Sequence, residues 1–349
     1  MSLGTAARTR SSTLAPPRRR GWPSLLAAAL LGATVAAGVV LLVEDDQPEQ
    51  QVAKRSEPSP LPGPSGRVVG RPIRVAEGPS GIVPGASYIW ITSVADRGVA
   101  VLDPRANAVR LLPGVVGARP TDISIAGGSV WVPSSDAGTV TRIDPRGLEV
   151  RRVIRVGDSP SSIGASPDSV WVADEDRDTV VRIFLRSTQL VGRPIQVGEA
   201  PASIAYLDDS MWVSNAEDDT VSRIDIRSRR VVDTIRVGDQ PLGLATGAGA
   251  VWVANQEDDT VLRIDPATNR VVRTIPVGDR PRYLGADSEG VWVPNAGDGT
   301  VTRIDPATNR VVGDPIPAGE GVDRVVVGLE AVWVTRPEDG TVVRIEPLD

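Results

Sequence analysis

The sequence predicts an all-β fold, a seven-bladed β-propeller with four-stranded blades, over residues 67–349. Tryptophan recurs seven times at intervals of 40 or 41 residues, and each copy sits among short segments rich in β-branched residues. A fixed period of this length, built from strand-like units, is typical of propellers. The seven copies are Trp90, Trp131, Trp171, Trp212, Trp252, Trp292 and Trp333.

Each repeat divides into four predicted strands separated by turn residues. In the fifth repeat, the predicted strands run from the innermost to the outermost as 242–246, 250–255, 260–265 and 271–277. Glycine, aspartate, proline and asparagine occupy the intervals, and these residues favour tight turns. The β-branched content of the segments suits strands that are covered on both faces, as stacked blades require.

Proline positions support this division. Because proline has no N–H to donate, it is tolerated on an edge strand, and a propeller blade has its free edge on the outside. Four prolines fall in the outermost predicted segments, and they are Pro72, Pro194, Pro276 and Pro315.

The order of segments at the two ends predicts how the ring closes. The repeat region begins with an outermost-type segment at 67–75 and ends with a third-strand segment at 341–346. We therefore expect the first segment to complete the last blade, which would close the ring without a disulfide bond.

The repeat units resemble a known class of propeller repeat. Units such as AVWVANQEDDTVLRIDPATNRVVRTIPVG, at residues 250–278, resemble the YVTN/YncE-type repeat of about forty residues. They are also similar to NHL repeats and to the virginiamycin B lyase propeller. The resemblance covers residues 67–349 and implies the propeller fold; such propellers serve as binding modules, sensor domains and enzymes, so it implies no single function.

The amino-acid composition excludes several types of catalytic and metal site. The chain has no cysteine and no histidine, which excludes thiol nucleophiles, Ser-His-Asp catalysis and imidazole zinc sites within it. The formal net charge is −6, and five arginines in the first 21 residues leave −11 for the remainder. An acidic domain matches nucleic acid poorly, because phosphates require a basic surface, so no nucleic-acid partner is expected.

The N-terminal region predicts a membrane anchor. Residues 23–43 carry no charge and are long enough for one transmembrane helix. Arginines precede this segment and acidic residues follow it, so the positive-inside rule predicts a cytoplasmic tail at 1–22 and a propeller outside the cytoplasm. Residues 44–66 are predicted to form a proline-rich linker. A cleaved signal peptide, with small residues at 35–37, remains the alternative.

Residues that recur in every repeat are interpreted as scaffold. We expect the tryptophans to fill the space between blades. An arginine in the third strand and an aspartate two residues later are expected to form a brace within or between blades. The arginines are Arg142, Arg182, Arg223, Arg263, Arg303 and Arg344, and the aspartates are Asp144, Asp225, Asp265 and Asp305.

Residues that differ between repeats are the candidate binding residues. One set, at the start of the innermost strands, is predicted to converge at the mouth of the central funnel, namely Asp122, Arg282, Tyr283, Asp323 and Arg324. A second ring lies three residues after the tryptophans, and its candidates are Asp174, Asn215, Asn255 and Asn295. The loops of this face are acidic, which is interpreted as turn chemistry and solubility, with a cation site or a basic partner as the alternative.

These observations favour a membrane-anchored, extracytoplasmic and non-catalytic recognition module that binds a protein or envelope ligand through its funnel face. The resemblance also leaves two metal-dependent enzymes open. A streptogramin-lyase-like activity would depart from that family, whose catalysis is associated with histidine and a divalent metal. A gluconolactonase-like calcium site would use Asp174, Asn215, Asn255 and Asn295. No cofactor is expected, with calcium or magnesium left open.

Overall fold

Antiparallel sheets follow one another along the chain in the computed structural model, which describes residues 63–348. The predicted cytoplasmic tail 1–22, the predicted transmembrane helix 23–43 and all but the end of the linker 44–66 lie outside these residues. Between residues 63 and 348, no helix has the length and apolar character needed to span a membrane.

Thirty strands, numbered in chain order, form seven sheets that we call blades 1 to 7. The first two strands belong to blade 7 and are β1 Gly66–Val68 and β2 Ile73–Arg74. Blade 1 contains β3 Pro79–Pro84, β4 Ile89–Ser93, β5 Gly98–Asp103 and β6 Ala108–Leu112. Blade 2 contains β7 Ser124–Ala126, β8 Ser129–Ser134, β9 Thr139–Asp144 and β10 Glu149–Arg155.

Blade 3 contains β11 Pro160–Ser166, β12 Ser169–Asp174, β13 Thr179–Phe184 and β14 Ile195–Gln196, with a short 3-10 helix at Glu175–Arg177. Blade 4 contains β15 Pro201–Leu207, β16 Ser210–Asn215, β17 Thr220–Asp225 and β18 Arg230–Arg236. Blade 5 contains β19 Pro241–Gly247, β20 Ala250–Asn255, β21 Thr260–Asp265 and β22 Arg270–Pro276.

Blade 6 contains β23 Gly285–Ala286, β24 Val291–Asn295, β25 Thr300–Asp305, β26 Arg310–Val311 and β27 Ile316–Pro317. Blade 7 contains β28 Val325–Gly328, β29 Ala331–Arg336 and β30 Thr341–Pro347. The predicted all-β architecture of seven four-stranded blades is confirmed, and the predicted strand limits in blade 5 agree with the observed ones to within one residue.

The predicted ring closure is also confirmed. Both β1 and β2 pair antiparallel with β30, so the start of the repeat region supplies the outermost strand of blade 7. In this register Arg67 lies opposite Glu346, and Ile73 lies opposite Val342. The pairing joins the two ends of the propeller, and the described residues contain no disulfide bond.

Three outermost strands are interrupted by the same five-residue motif. Valine, glycine, arginine or aspartate, proline and isoleucine occur at 69–73, 191–195 and 312–316, in blades 7, 3 and 6. The glycine has a φ of +74°, +75° and +60° in the three copies, a left-handed conformation that glycine adopts without strain. The chain therefore arches away from the third strand at this point and leaves only short segments paired on either side.

The tryptophans lie between blades, as predicted. Trp131 of blade 2, for example, packs in one cluster with Ile163, Val170 and Val172 of blade 3, and its side chain is fully buried. In six blades the third-strand arginine lies over the tryptophan ring, with 4.9–5.6 Å between the guanidinium carbon and the ring centroid. This distance is within the range of a cation–π interaction.

The arginine brace exists, but its expected partner was wrong. Arg223 donates to the Ser210 hydroxyl (2.9 Å) in its own blade and to the Pro266 carbonyl (2.6 Å) in the next. The aspartate two residues later caps the following turn instead; Asp265, for example, accepts the N–H of Ala267 at 3.0 Å. Carboxylates at this position serve the turn because the nearby backbone N–H groups need an acceptor.

Candidate binding site on the funnel face

One face of the ring carries all the links into the innermost strands and all the turns between second and third strands. We call it the funnel face. The structure brings together the five residues predicted at its mouth, Asp122, Arg282, Tyr283, Asp323 and Arg324. They belong to blades 2, 6 and 7, and they form one network of ion pairs and ring contacts.

Arg324 is the centre of this network. Its Nη1 lies 3.5 Å from Oδ1 of Asp122, and its guanidinium carbon lies 3.7 Å from the centroid of the Tyr283 ring. The Arg324 and Asp122 side chains are only 14% and 13% exposed. Burial acts to lower the pKa of Arg324, but the negative charges of Asp122 and Asp323 outweigh it and raise the pKa. The guanidinium therefore stays charged.

Asp122 links three blades. Its Oδ2 accepts the Ser162 hydroxyl (2.7 Å) and the Ile163 N–H (3.1 Å) of blade 3. Its Oδ1 accepts the backbone N–H of Ile123 and lies 3.5 Å from Nη1 of Arg324 in blade 7. Blades 2 and 7 are not adjacent, because blade 1 lies between them. The Asp122–Arg324 pair consequently joins two blades that have no shared edge.

Arg282 extends the network to blade 5. Its Nε donates to Oδ1 of Asp323 at 3.0 Å, and its Nη1 donates to Oε1 of Gln256 at 3.0 Å. The Gln256 amide in turn donates to Oε1 of Gln240 at 2.6 Å. The sequence interpretation missed these two glutamines, although glutamine occurs at the position of Gln256 in no other repeat.

Tyr283 remains protonated. Burial raises the pKa of its hydroxyl, and the positive charge of Arg324 only partly opposes that effect. Its backbone also joins blades 6 and 7, because its N–H donates to the Asp323 carbonyl and its own carbonyl accepts the Val325 N–H. The network therefore holds mutually compensated charges, which suits a rigid recognition surface.

The second predicted ring does not meet at the mouth. The side chains of Asp174, Asn215, Asn255 and Asn295 are 0–2% exposed, and each is bonded within its own part of the ring. Asn215, for example, donates to the hydroxyls of Thr220 and Ser222, both at 2.9 Å. The structure thus separates the predicted residues into one assembled network and four buried side chains.

Many acidic residues of the funnel face are occupied by turn chemistry, as one interpretation of the sequence predicts. Asp218 accepts the Glu199 N–H at 2.8 Å, and Asp258 and Asp298 make the equivalent bond in blades 5 and 6. Asp178, Asp219 and Asp259 accept the backbone N–H of the next residue along the same links. These carboxylates fix the links that lead into the innermost strands.

Apart from the turn-capping carboxylates, the turns between the second and third strands of blades 3 to 5 hold four exposed carboxylates that make no ion pair within residues 63–348. We call them the acidic arc, and they are Glu175, Asp176, Glu217 and Glu257. Burial and repulsion from Asp176 and Glu217 raise the pKa of Glu175, against an opposing effect of Arg119. Negative charge is therefore in excess on blades 3 to 5 of this face.

A polar cavity of about 390 Å³ lies beside the arc. Its lining includes four carboxylates, those of Asp136, Asp158, Glu175 and Asp176, and one basic side chain, that of Arg119. In the part of the chain that the structure describes, no three acidic side chains are grouped closely enough to hold a metal ion. The cavity and the arc together present an acidic surface on the funnel face.

Solved structures with the same fold include enzymes and repeat domains. Virginiamycin B lyase from Staphylococcus aureus is 17% identical, with a TM-score of 0.68 over 78% of this chain and 95% of that chain. The Kuenenia stuttgartiensis hydrazine synthase is 19% identical, with a TM-score of 0.67 over 78% and 96%. The WD40 repeats of RRP9 are 10% identical, with a TM-score of 0.70 over 81% and 100%.

The chain is a seven-bladed β-propeller. This is the fold that its resemblance to YVTN/YncE-type, NHL and virginiamycin B lyase propellers implies. No known protein-family profile matches the sequence. No curated protein matches it either. At these identities the structural likeness shows the fold and leaves function to the residues of the site.

Proposed function

We propose that the propeller is a non-catalytic recognition module whose funnel face binds a basic segment of a protein or envelope partner. The observation that supports this most is the division of charge on that face. At the mouth, Arg324 and Asp122 neutralise each other. On blades 3 to 5, the four carboxylates of the acidic arc make no ion pair within residues 63–348. Complementary charge steers a basic partner to such a surface.

We further propose that residues 23–43 anchor the propeller to a cell membrane as a single span, with the propeller outside the cytoplasm. The support is the uncharged length of this segment and the arginines on its N-terminal side. A cysteine-labelling experiment tests the orientation. Cysteine introduced at Ser12 should be protected from an impermeant maleimide in intact cells, whereas cysteine at Ser59 should react.

The binding proposal is tested by crosslinking from membranes with the full chain. The variant Glu175→Gln, Asp176→Asn, Glu217→Gln, Glu257→Gln removes the acidic arc without touching the turn-capping carboxylates. A matched control, Glu289→Gln with Glu330→Gln, removes exposed charge from turns on the opposite face. We expect the wild type and the control to capture the same partner, and the arc variant to lose it. The amount captured should fall as the salt concentration rises.

Equal capture by the arc variant and the control would overturn the assignment to this face. A partner that resists high salt would also contradict it, because binding by exposed charges is screened. Replacement of Asp122 with alanine gives a separate control for folding, since it should lower stability through the loss of its four contacts.

The lyase-like alternative is less well supported. One structural neighbour is a catalytically inactive histidine-to-alanine variant of the S. aureus virginiamycin B lyase with quinupristin. This chain contains no histidine. Incubation of the purified protein with quinupristin and magnesium, followed by mass spectrometry of the product, tests this activity directly. The gluconolactonase-like alternative loses support because its candidate ligands are buried within separate blades.

A further inference from the structure

A groove lined by arginines lies on the outer rim, between blades 2 and 3. It has a volume of about 280 Å³ and runs between the end of β10 and the segment 190–194. Among its lining residues in the described part of the chain none is acidic, and its basic side chains are Arg155, Arg177, Arg182 and Arg193. The groove also has apolar walls, formed by Val156, Val181, Leu190, Val191 and Pro194.

The interrupted outermost strand of blade 3 forms one wall of this groove. Gly192, at a φ of +75°, turns the chain outward, and β14 resumes pairing only at Ile195. In blades 4 and 5 the outermost strands, β18 and β22, run for seven residues and cover the third strand along its whole length. In blade 3, β14 pairs only with Thr179 and Val180, and the next two residues of β13, Val181 and Arg182, line the groove.

Two of the four guanidinium groups, those of Arg155 and Arg193, have no acidic oxygen within hydrogen-bond distance among residues 63–348. Arg182 is held by both oxygens of Asp168 at 2.9 Å, and Arg177 is paired with Asp158 at 2.7 Å. Arg155 reaches Asp158 only at 3.8 Å and is largely exposed. Arg193, also exposed, makes no hydrogen bond or ion pair with any side chain among residues 63–348. Uncompensated positive charge thus lies beside apolar walls.

We propose that this groove binds an anionic amphiphile, in which a phosphate or carboxylate group is joined to an apolar chain. Arginine donates through a planar fork that matches both groups in bidentate geometry. The valine and leucine walls would bury the adjoining apolar chain. The ligand carries the opposite charge to the partner of the acidic arc, so this site is independent of the function proposed above.

Calorimetric titration of the full chain in a non-ionic detergent tests the proposal, with dibutyl phosphate as the probe. We expect saturable binding at one site, and weaker binding of inorganic phosphate, which lacks the apolar chains. Arg155→Gln and Arg193→Gln should each weaken dibutyl phosphate binding by about tenfold, because each removes a charge-assisted hydrogen bond.

Arg273→Gln is the matched control, since Arg273 is an exposed arginine on the rim strand β22 and does not line the arginine groove. It should leave binding unchanged. An equal loss in this control would show that general surface charge, not the groove, attracts the probe. Unchanged binding in the Arg155→Gln, Arg193→Gln double variant would likewise overturn the proposal.

A second measurement distinguishes a lipid headgroup from a soluble amphiphile. The full chain is placed in nanodiscs of phosphatidylcholine, alone or mixed with phosphatidylglycerol, and hydrogen exchange is followed at residues 155–157 and 190–194. Protection that requires phosphatidylglycerol assigns the site to the bilayer. Protection that requires added dibutyl phosphate assigns it to a soluble ligand, and protection under neither condition would contradict an anion site here.

Discussion

The third-strand arginine combines two roles in a single side chain. In blade 4, the Arg223 guanidinium carbon lies 4.9 Å from the centroid of the Trp212 ring and covers a buried aromatic face. The same group donates to Ser210 of its own blade and to Pro266 and Asn269 of blade 5. Because the fork satisfies several acceptors at once, an ammonium group cannot replace it.

Arg223→Lys should therefore lower the free energy of unfolding by about 2–3 kcal/mol, through lost charge-assisted bonds and lost ring contact. Arg227→Lys, nearby in sequence, should change it by less than about 0.5 kcal/mol, because Arg227 makes an exposed ion pair with Asp209. Urea unfolding followed by tryptophan fluorescence measures both. Similar losses in the two variants would show that the stacked arginine has no special role.

Glu175 allows a test by pH. Its pKa is raised in the folded state, so its ionised form opposes folding at neutral pH and its protonated form does not. Glu175→Gln should raise the melting temperature at pH 7, and the difference should vanish as the pH falls to about 4, where the carboxyl is protonated in both states. A gain that persists at low pH would point to packing instead of charge.

At the scale of strands and turns, the interrupting motif accounts for part of the irregular spacing of the repeats. Tryptophans follow one another at 41 residues across blades 3 and 6, where the motif adds a residue to the outermost strand, and at 40 across blades 4 and 5. The left-handed glycine absorbs the extra residue without shifting the register of the neighbouring strands. The spacing of the tryptophans thus indicates which blades have an interrupted outermost strand in these cases.

Two copies of this glycine form a matched pair. Gly70 and Gly313 share the motif and the positive φ, but a Cβ at Gly70 would have open space, whereas one at Gly313 would meet the carbonyl oxygen of Gly63. Gly70→Ala should cost about 1 kcal/mol from backbone strain alone. Gly313→Ala should cost clearly more, and equal costs in thermal unfolding would show that the segment at Gly63 moves aside freely.

The same scale shows what the repeat pattern could and could not predict. Strands in blade 5 were predicted to within a residue, because each follows the shared pattern of buried valines and turn residues. The innermost strand of blade 6 is reduced to Gly285–Ala286, because Tyr283 pairs with Arg324 of the next blade instead. A strand prediction based on the repeat pattern cannot detect this contact, because the contact depends on residues that only these two blades contain.

The candidate residues show a similar limit. Comparing repeats identified the five residues of the mouth, because a network that occurs once needs residues that occur once. The same comparison also selected Asp174, but this position differs from its equivalents in other repeats for a structural reason. Asp174 accepts the Asp158 N–H in blade 3, a bond that Asp258 makes with Asp239 in blade 5. When one residue of a blade takes over a hydrogen bond that another position makes in the other blades, sequence comparison alone cannot distinguish it from a binding residue.

At the scale of the whole ring, stability depends on the pairing of β1 and β2 with β30. The chain has no cysteine, so a pair introduced at Arg67 and Glu346 would form the only possible disulfide bond. Directly opposed residues of an antiparallel pair are close enough for such a bond. It would replace an exposed ion pair of 3.2 Å, whose loss costs little.

The oxidised Arg67→Cys, Glu346→Cys protein should be more stable than its reduced form, by up to roughly 5 kcal/mol from loop-closure entropy. The reduced form is the internal control, and it should unfold close to the wild type. Guanidinium unfolding of the two forms measures the difference. No gain on oxidation would mean that the pairing at this edge persists in the unfolded ensemble or does not limit unfolding.

The closing strand also sets an order of events during synthesis. The segment that holds β1 and β2 leaves the ribosome first, yet its partner β30 is translated some 279 residues later. At usual rates of translation the early strands therefore wait for roughly 15 to 60 s before they can pair. Their short lengths, the proline between them and their exposed arginines limit pairing with other chains in that interval.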